Sequence, residues 1–359
     1  MMMNKNYDGL AEKALSYYYA HRRFLPWREN PTPYHVWISE IMLQQTRVDT
    51  VIPYFNRFIE NFPTIMDLAN APEDKLLKLW EGLGYYSRAR NLQKAAKVLL
   101  DNYDASLPSD KSELMKLPGI GAYTAGAISS IAFGKSETAV DGNLIRIGSR
   151  LMAYRDSVSN AQGKKVMENF WLHLLPEKHA GDFNQAMMDL GATICLPNSE
   201  PLCLLCPIRE YCLAFELGNP TDFPKKEIKK PRRIEEKTVF LLRFEEKILL
   251  QKRENGGLLG GLLQFPMADE HLQENDALSF LQNRGLVPIR IKAGVHAKHI
   301  FSHIEWRMIS WEVVLDPFVV MENPKNDFDN SIWVEQTQLD EITLPTAFRK
   351  FRKRAAERF

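Results

Sequence analysis

The spacing of apolar residues changes period near residue 236, and that switch limits the architecture more than any other feature. Up to about residue 216, the stretches 74–83, 89–100, 112–117, 123–133 and 164–174 carry apolar side chains three and four apart, broken by Pro and Gly. This is the pattern of amphipathic helices. Beyond it, 238–244, 247–252, 289–295, 299–306 and 308–315 read as strands, and 276–284 and 346–358 as helices. Between the two lies Asn219-Pro220-Thr221-Asp222-Phe223-Pro224, then a run from Lys225 to Arg233 with six basic residues against one acid. Such a run is either an exposed spacer or a strap for phosphates. With 359 residues, the chain has room for two cores. The expected architecture is an all-α domain over 1–216, a basic linker over 217–236 and an α+β domain over 237–359.

Composition removes several classes. No run of 18 apolar residues exists, so a membrane-spanning helix is excluded. The opening residues contain no apolar h-region, which points to a cytoplasmic location. A net charge of +1 excludes a uniformly basic nucleic-acid binder while leaving room for a locally basic face. All four cysteines fall between Cys195 and Cys212, spaced Cys195-x7-Cys203-x2-Cys206-x5-Cys212. Thiols crowded into one segment read as metal ligands rather than disulfides. Four thiolates hold either tetrahedral zinc or a 4Fe–4S cube, and the spacing alone leaves both open.

Leu117-Pro118-Gly119-Ile120-Gly121 separates two helical patterns. Pro stops the first helix, and the glycines permit a tight turn that exposes backbone N–H groups beside the start of the next helix. A phosphate suits that geometry, although an ordinary helix–helix turn would explain a bare Pro-Gly-x-Gly.

Two carboxylates stand in contrasting settings. Glu40 lies in Trp37-Ile38-Ser39-Glu40-Ile41-Met42-Leu43, apolar around most of the helix, with Val36, Trp37 and Leu43 as its helical neighbours. Burial there should raise its pKa. At the ordinary value of about 4.3, roughly one such side chain in 500 is protonated at pH 7; a rise of about two units makes it roughly one in six. An ion pair with a base such as Arg47 is the ordinary alternative. Asp141, before Gly142-Asn143-Leu144, sits where a helix N-cap belongs, and hydrogen bonds from the helix N–H groups should lower its pKa. One acid kept neutral and one kept charged is what cleavage of a glycosidic bond requires.

Several motifs carry a resemblance: Leu25-Pro26-Trp27-Arg28, Trp37 to Thr46, Gly82-Leu83-Gly84-Tyr85-Tyr86-Ser87-Arg88-Ala89-Arg90, Leu117 to Ala125, Val140-Asp141-Gly142-Asn143, and Phe183 to Gly191. Together they resemble the adenine DNA glycosylases of the MutY type, within the helix-hairpin-helix base-excision repair superfamily. The match covers most of residues 20–216 and, more weakly, the C-terminal domain. The resemblance implies an enzyme that removes adenine paired with 8-oxoguanine or guanine in double-stranded DNA and acts as a monomer. It assigns Glu40 as the acid that protonates adenine at N7 and Asp141 as the stabiliser of the sugar cation, with Asn143 close to the reacting sugar. Trp27, Arg28, Tyr123 and Gln185 would line the adenine pocket, Gln45 and Tyr85 would wedge into the base stack, and Leu117, Gly119 and Gly121 would grip the backbone. Taken without the motif, Trp27 and Tyr85 read as core packing, which is what aromatics usually do. Bifunctional relatives carry a Lys just after the hairpin that forms a Schiff base; Tyr123 occupies that position here, so hydrolysis without strand cleavage is expected. Within the resemblance the cysteines hold a 4Fe–4S cluster, structural or DNA-sensing. The loop from Cys195 to Cys203 is one residue longer than usual and lacks Lys and Arg.

Residues 238–242, 248–253 and 260–266 resemble a Nudix-type domain. The stretch 267–285 lacks the paired glutamates that a Nudix pyrophosphatase needs for Mg²⁺, so the domain reads as a binding module. By resemblance, Phe301, Ser302 and His303 reach the 8-oxoguanine, whose oxidation turns the N7 acceptor into an N–H donor. The tail 349–358, with six basic residues against one acid, either touches DNA or is solvated. Two competing readings are a bifunctional glycosylase for oxidised pyrimidines and a DNA-binding protein without catalysis.

Overall fold

The computed structural model describes residues 5–225, 231–316, 328 and 330–357. Contacts divide the chain into two units: 1–71 with 87–228, and 72–86 with 229–359. Among the described residues, no helix is long and apolar enough to cross a membrane.

The first unit is helical among its described residues, as the period predicts. Leu10, Ala14 and Tyr18 recur every fourth residue along the helix Leu10–His21 and pack with Leu144, Ile147 and Leu151 and with Phe183, Met187 and Leu190. At the centre runs the helix Pro33–Leu43, buried continuously from Val36 to Met42. Thr32 caps it by accepting a hydrogen bond from the His35 N–H at 3.1 Å, and Pro33 occupies its first turn, where no backbone donor is needed. The chain leaves that helix through Gln45, which takes a left-handed conformation at φ 59°.

The second unit is α+β. Its mixed sheet comprises β1 (Arg233–Phe244), β2 (Lys247–Lys252), β3 (Leu263–Gln264), β4 (Met267–Ala268), β5 (Pro288–Ala293), β6 (Ala297–Ile300), β7 (Ile304–Leu315) and β8 (Ser331–Glu335). The main path runs β3-β2-β1-β7-β5, with β1 and β7 parallel from Arg233 opposite Ile304 to Arg243 opposite Val314. Alternate residues of β1 serve opposite faces. Val239 and Leu241 join a core with Phe348 and Phe351, while Phe240 and Leu242 join another with Ala277 and Leu281. A strand covered on both faces shows a continuous apolar run, which is what 239–242 displays.

Four sequence expectations change. The stretch 299–306 is not one strand: a turn at Phe301-Ser302-His303 separates β6 from β7, with the Phe301 N–H donating to the Ile304 carbonyl at 2.8 Å. The linker expected over 217–236 is shorter at its far end, because β1 begins at Arg233; Lys226–Lys230 lie outside the described residues. Two tail cations are internal partners rather than a free basic face. Arg352 pairs with Glu81 and Asp340, and Arg354 pairs with Glu312 and Glu357. Arg358 lies outside the described residues. The stretch 72–86, read from its period as part of the helical domain, groups with the second unit. There Lys78 donates to the carbonyls of Asp340 and Ile342 at 2.6 and 3.2 Å, and Tyr85 meets Ser302.

Candidate active site

A cavity of about 560 Å³ opens in the first unit, within the usual range for ligand pockets. It gathers residues far apart in sequence: Trp27 and Arg28, Glu40, Gln45, Tyr123, Asp141 with Asn143, and Gln185 all line it. Every pocket and catalytic residue anticipated in the helical domain therefore faces one space. Trp27 forms a wall against Phe55, edge to face at 5.4 Å between ring centroids.

Glu40 is 5% exposed, and its carboxylate accepts a hydrogen bond from the Tyr123 hydroxyl. Burial raises its pKa and the nearby Asp141 adds to the rise; the Tyr123 bond and the charge of Arg28 oppose it, leaving a value of about 7. The ion pair with Arg47 that helix geometry alone allows is replaced by this phenol contact. Tyr123 itself is held well above its ordinary range by burial and by the two carboxyls, so its O–H remains a donor.

Asp141 caps the helix Gly142–Leu151 as anticipated. Oδ1 accepts from the backbone N–H groups of Asn143 and Leu144, both at 2.8 Å, and Oδ2 accepts from Asn143 Nδ2 at 2.7 Å. Its pKa nevertheless moves the other way from the sequence expectation. Burial raises it, outweighing those three bonds, so the value lies above rather than below the usual one. A capping position is legible in sequence; the cavity wall that removes water from it is not. Asn143 is fixed in turn, because Arg146 Nη2 donates to its Oδ1 at 2.9 Å and Gly191 packs so closely that an added Cβ would lie 2.5 Å from the Asn143 Cβ. Asn184, fully buried, braces the approach to Asp141 by accepting from the Ala139 N–H at 3.2 Å and donating to the Glu137 carbonyl at 2.9 Å.

An element the sequence reading leaves without a role is Asp189. It accepts from Arg28 Nη1 and Nη2 at 2.8 and 3.0 Å and from Arg23 Nε at 2.8 Å. Burial alone would raise its pKa, but the two guanidiniums outweigh this and hold it below the ordinary value. The clamp orients Arg28 along the cavity wall. A charged residue inside the apolar run Ala186-Met187-Met188-Asp189-Leu190 is the signal that marks it.

The hairpin follows the sequence reading. Gly119 takes φ 80°, and a Cβ there would come within 2.8 Å of the Asn91 Cβ, so both backbone and space require glycine. Gly121 precedes the helix Ala122–Ala127, and Leu117 is buried beneath the turn. In the second unit, Tyr85 and Ser302 share a hydrogen bond of 2.7 Å between hydroxyls. Phe301 turns inward against His299 and Trp306, whereas Ser302 and His303 are exposed.

Cys195, Cys206 and Cys212 pack against the core of the first unit. Arg150 Nη1 donates to Cys195 Sγ at 3.0 Å, and Arg146 Nε donates to the Cys195 carbonyl at 2.7 Å. Burial pushes the Cys206 and Cys212 thiols up to about 12 and about 11, and neighbouring cysteines contribute to both. Such mutual repulsion is what a bound cation relieves, so the donor set fits a metal cluster. Among the described residues, no group of three or more His, Cys, Asp or Glu stands ready to hold a single ion.

The fold and cavity define a helix-hairpin-helix glycosylase core joined to a Nudix-like unit. Residues 38–174 match the HhH-GPD superfamily base excision DNA repair protein profile, and residues 238–354 match the NUDIX domain profile. The chain is 37% identical over 338 residues to an adenine DNA glycosylase of Buchnera aphidicola subsp. Baizongia pistaciae, covering 93% of each chain. It is 33% identical to the human adenine DNA glycosylase, covering 94% of this chain and 72% of that one. Among solved structures, endonuclease III in a non-covalent complex with DNA aligns at a TM-score of 0.52 and 28% identity, over 61% of this chain and 99% of that one. The chain belongs to the adenine DNA glycosylase family.

Proposed function

We propose that this chain hydrolyses the N-glycosidic bond of adenine paired with 8-oxoguanine, or with guanine, in double-stranded DNA, and leaves an abasic site. The observation that carries the reading is the buried Glu40–Tyr123 pair facing Asp141 across one cavity. The family assignment supports the same chemistry. The pair divides the work by environment. Glu40, near pH 7 on the borderline of ionisation, delivers its proton to the leaving base. Asp141, with three donors on its carboxylate, is the member that holds negative charge beside the developing sugar cation. Tyr123 orients the Glu40 carboxyl, and Arg28 and Gln185 supply polar edges to the purine. Flipping the base into the cavity costs a few kcal/mol, which wedges at Gln45 and Tyr85 would offset.

No lysine lines the cavity among the described residues, and Lys116 is exposed and paired with Glu113, which supports water as the final nucleophile and an intact strand. Cys195, Cys203, Cys206 and Cys212 would hold a 4Fe–4S cluster, which when bound supplies a cross-link within the fold. The Nudix-like unit acts as a reader of the opposing base through Ser302, and the active form is a monomer.

The test is release of free adenine from a duplex carrying adenine opposite 8-oxoguanine, analysed with and without alkali. The wild type should excise, with strand breaks appearing only after alkali. Glu40→Gln should bind the duplex and lose about 10²- to 10⁴-fold in rate, the usual worth of a general acid. Wild-type rates in Glu40→Gln would end the general-acid assignment, and breaks without alkali would end the monofunctional one.

A further inference from the structure

Phe24 is 91% exposed, while its neighbour Leu25 is only 4% exposed. The backbone on both sides of this solvent-facing ring is tied down. The Arg22 N–H donates to the Tyr18 carbonyl at 2.7 Å, closing the preceding helix. The Arg23 N–H and guanidinium both reach Asp189, at 3.4 Å and 2.8 Å, and the Leu25 carbonyl accepts from the Arg28 N–H at 2.8 Å. Arg23 and Leu25 line the cavity that holds Glu40 and Asp141. An aromatic ring is thus presented rigidly to solvent between two residues of the cavity wall, next to the exposed cation Arg22.

Fixed aromatic faces beside cations are how proteins hold unpaired bases, since every base offers a π-face and the neighbouring cation meets the phosphate. A base extruded into the cavity leaves its strand neighbours partly unstacked. We propose that Phe24 is a DNA-contacting residue: its ring takes the face of a base flanking the extruded adenine on the same strand. The inference rests on the glycosylase reading above and adds a binding residue to it. Arg23 and Asp189 act as positioning residues that hold the backbone on either side of the ring.

The experiment uses the full chain and a duplex in which the adenosine opposite 8-oxoguanine carries a 2′-fluoro group, which resists cleavage. 2-Aminopurine is placed on either side of it as a stacking probe. Phe24→Ala should weaken binding by about 10-fold, within the range typical of one base–aromatic stack, and should raise 2-aminopurine emission in the complex. Phe24→Trp should retain both affinity and quenching. The thermal midpoint of Phe24→Ala should match the wild type, because the ring buries almost nothing in the free protein. Equal affinity and equal quenching in Phe24→Ala would overturn the inference, as would a lowered midpoint accounting for the weaker binding. A wild type that cleaves the unmodified duplex while Phe24→Ala binds unchanged removes this inference alone. A wild type that neither binds nor cleaves removes the glycosylase reading with it.

Discussion

The cavity of the first unit and the Tyr85–Ser302 contact of the second stand in opposite physical settings. In the cavity, two carboxyls are withdrawn from water and both have raised pKa values. At Tyr85 and Ser302, two hydroxyls meet in the open, on side chains that solvent reaches. Chemistry at neutral pH requires an acid that holds its proton, which only desolvation and a neighbouring charge provide. Recognition of a base edge requires donors and acceptors that can exchange partners, which burial would prevent. The cavity therefore carries an energetic cost inside the folded protein, and the hydroxyl pair carries almost none.

That cost gives the largest effect with which to break the comparison. Glu40 has its pKa raised from 4.5 to about 7, so between those values the folded chain holds a proton that the unfolded chain has released. Stability therefore falls as pH rises through this window and is level above it. The shift corresponds to at most about 3 kcal/mol. Glu40→Gln removes the titration, so its stability relative to the wild type should climb from pH 4.5 to 7 and stay up at pH 8. Urea midpoints at pH 5 and pH 8 measure this. A difference between the two proteins that is the same at both pH values would show that burial does not penalise the ionised form of Glu40.

If Glu40 is the general acid proposed above, the same group would set the alkaline limb of activity. Its protonated form is lost as pH rises through about 7. Single-turnover excision should decline on the alkaline side by about tenfold for each further pH unit. A decline on the acid side is expected where Asp141 takes up a proton, displaced upward from the ordinary carboxylate range. A rate still level at pH 9 would detach Glu40 from the proton transfer and leave the cavity with no chemical advantage over the exposed pair.

How much of this was legible in sequence depends on how local the cause is. Burial of Glu40 is written in the apolar residues around it on one helix, and the cap at Asp141 in the residues that follow it. The strand character of 238–244 and 308–315 is equally local. Contacts that span the chain leave no such trace. Asp189 meets Arg28 across 161 positions, and only an unexplained charge in an apolar stretch hints at it. The sign of the Asp141 shift is not legible for the same reason: the donors are sequence neighbours, whereas the walls that exclude water come from elsewhere. The turn at 301–303 leaves only a weak local trace: Ile300-Phe301-Ser302-His303-Ile304 departs from strict alternation, which allows a connecting loop as well as a strand, and no Gly or Pro marks the bend. Short β8 at Ser331–Glu335 escaped because it pairs with β2 rather than with a neighbour in sequence.

The smallest expected effect lies at the open hydroxyl pair, and it sharpens the comparison most directly. Removing one exposed hydrogen bond is worth about 0.5–1.5 kcal/mol. Ser302→Ala should therefore reduce the preference for 8-oxoguanine over guanine by about 2- to 10-fold while leaving the excision rate on the better substrate nearly unchanged. Tyr85→Phe keeps the ring and deletes the partner hydroxyl, so it isolates the contact from any stacking the ring provides. If the two hydroxyls act as one reading unit, the double variant should lose no more preference than the larger of the single losses. If the losses add in full, each hydroxyl meets the lesion independently and the 2.7 Å contact between them is a resting arrangement of the free protein. An unchanged preference in Ser302→Ala would remove this residue from lesion recognition and leave the discrimination to another part of the Nudix-like unit.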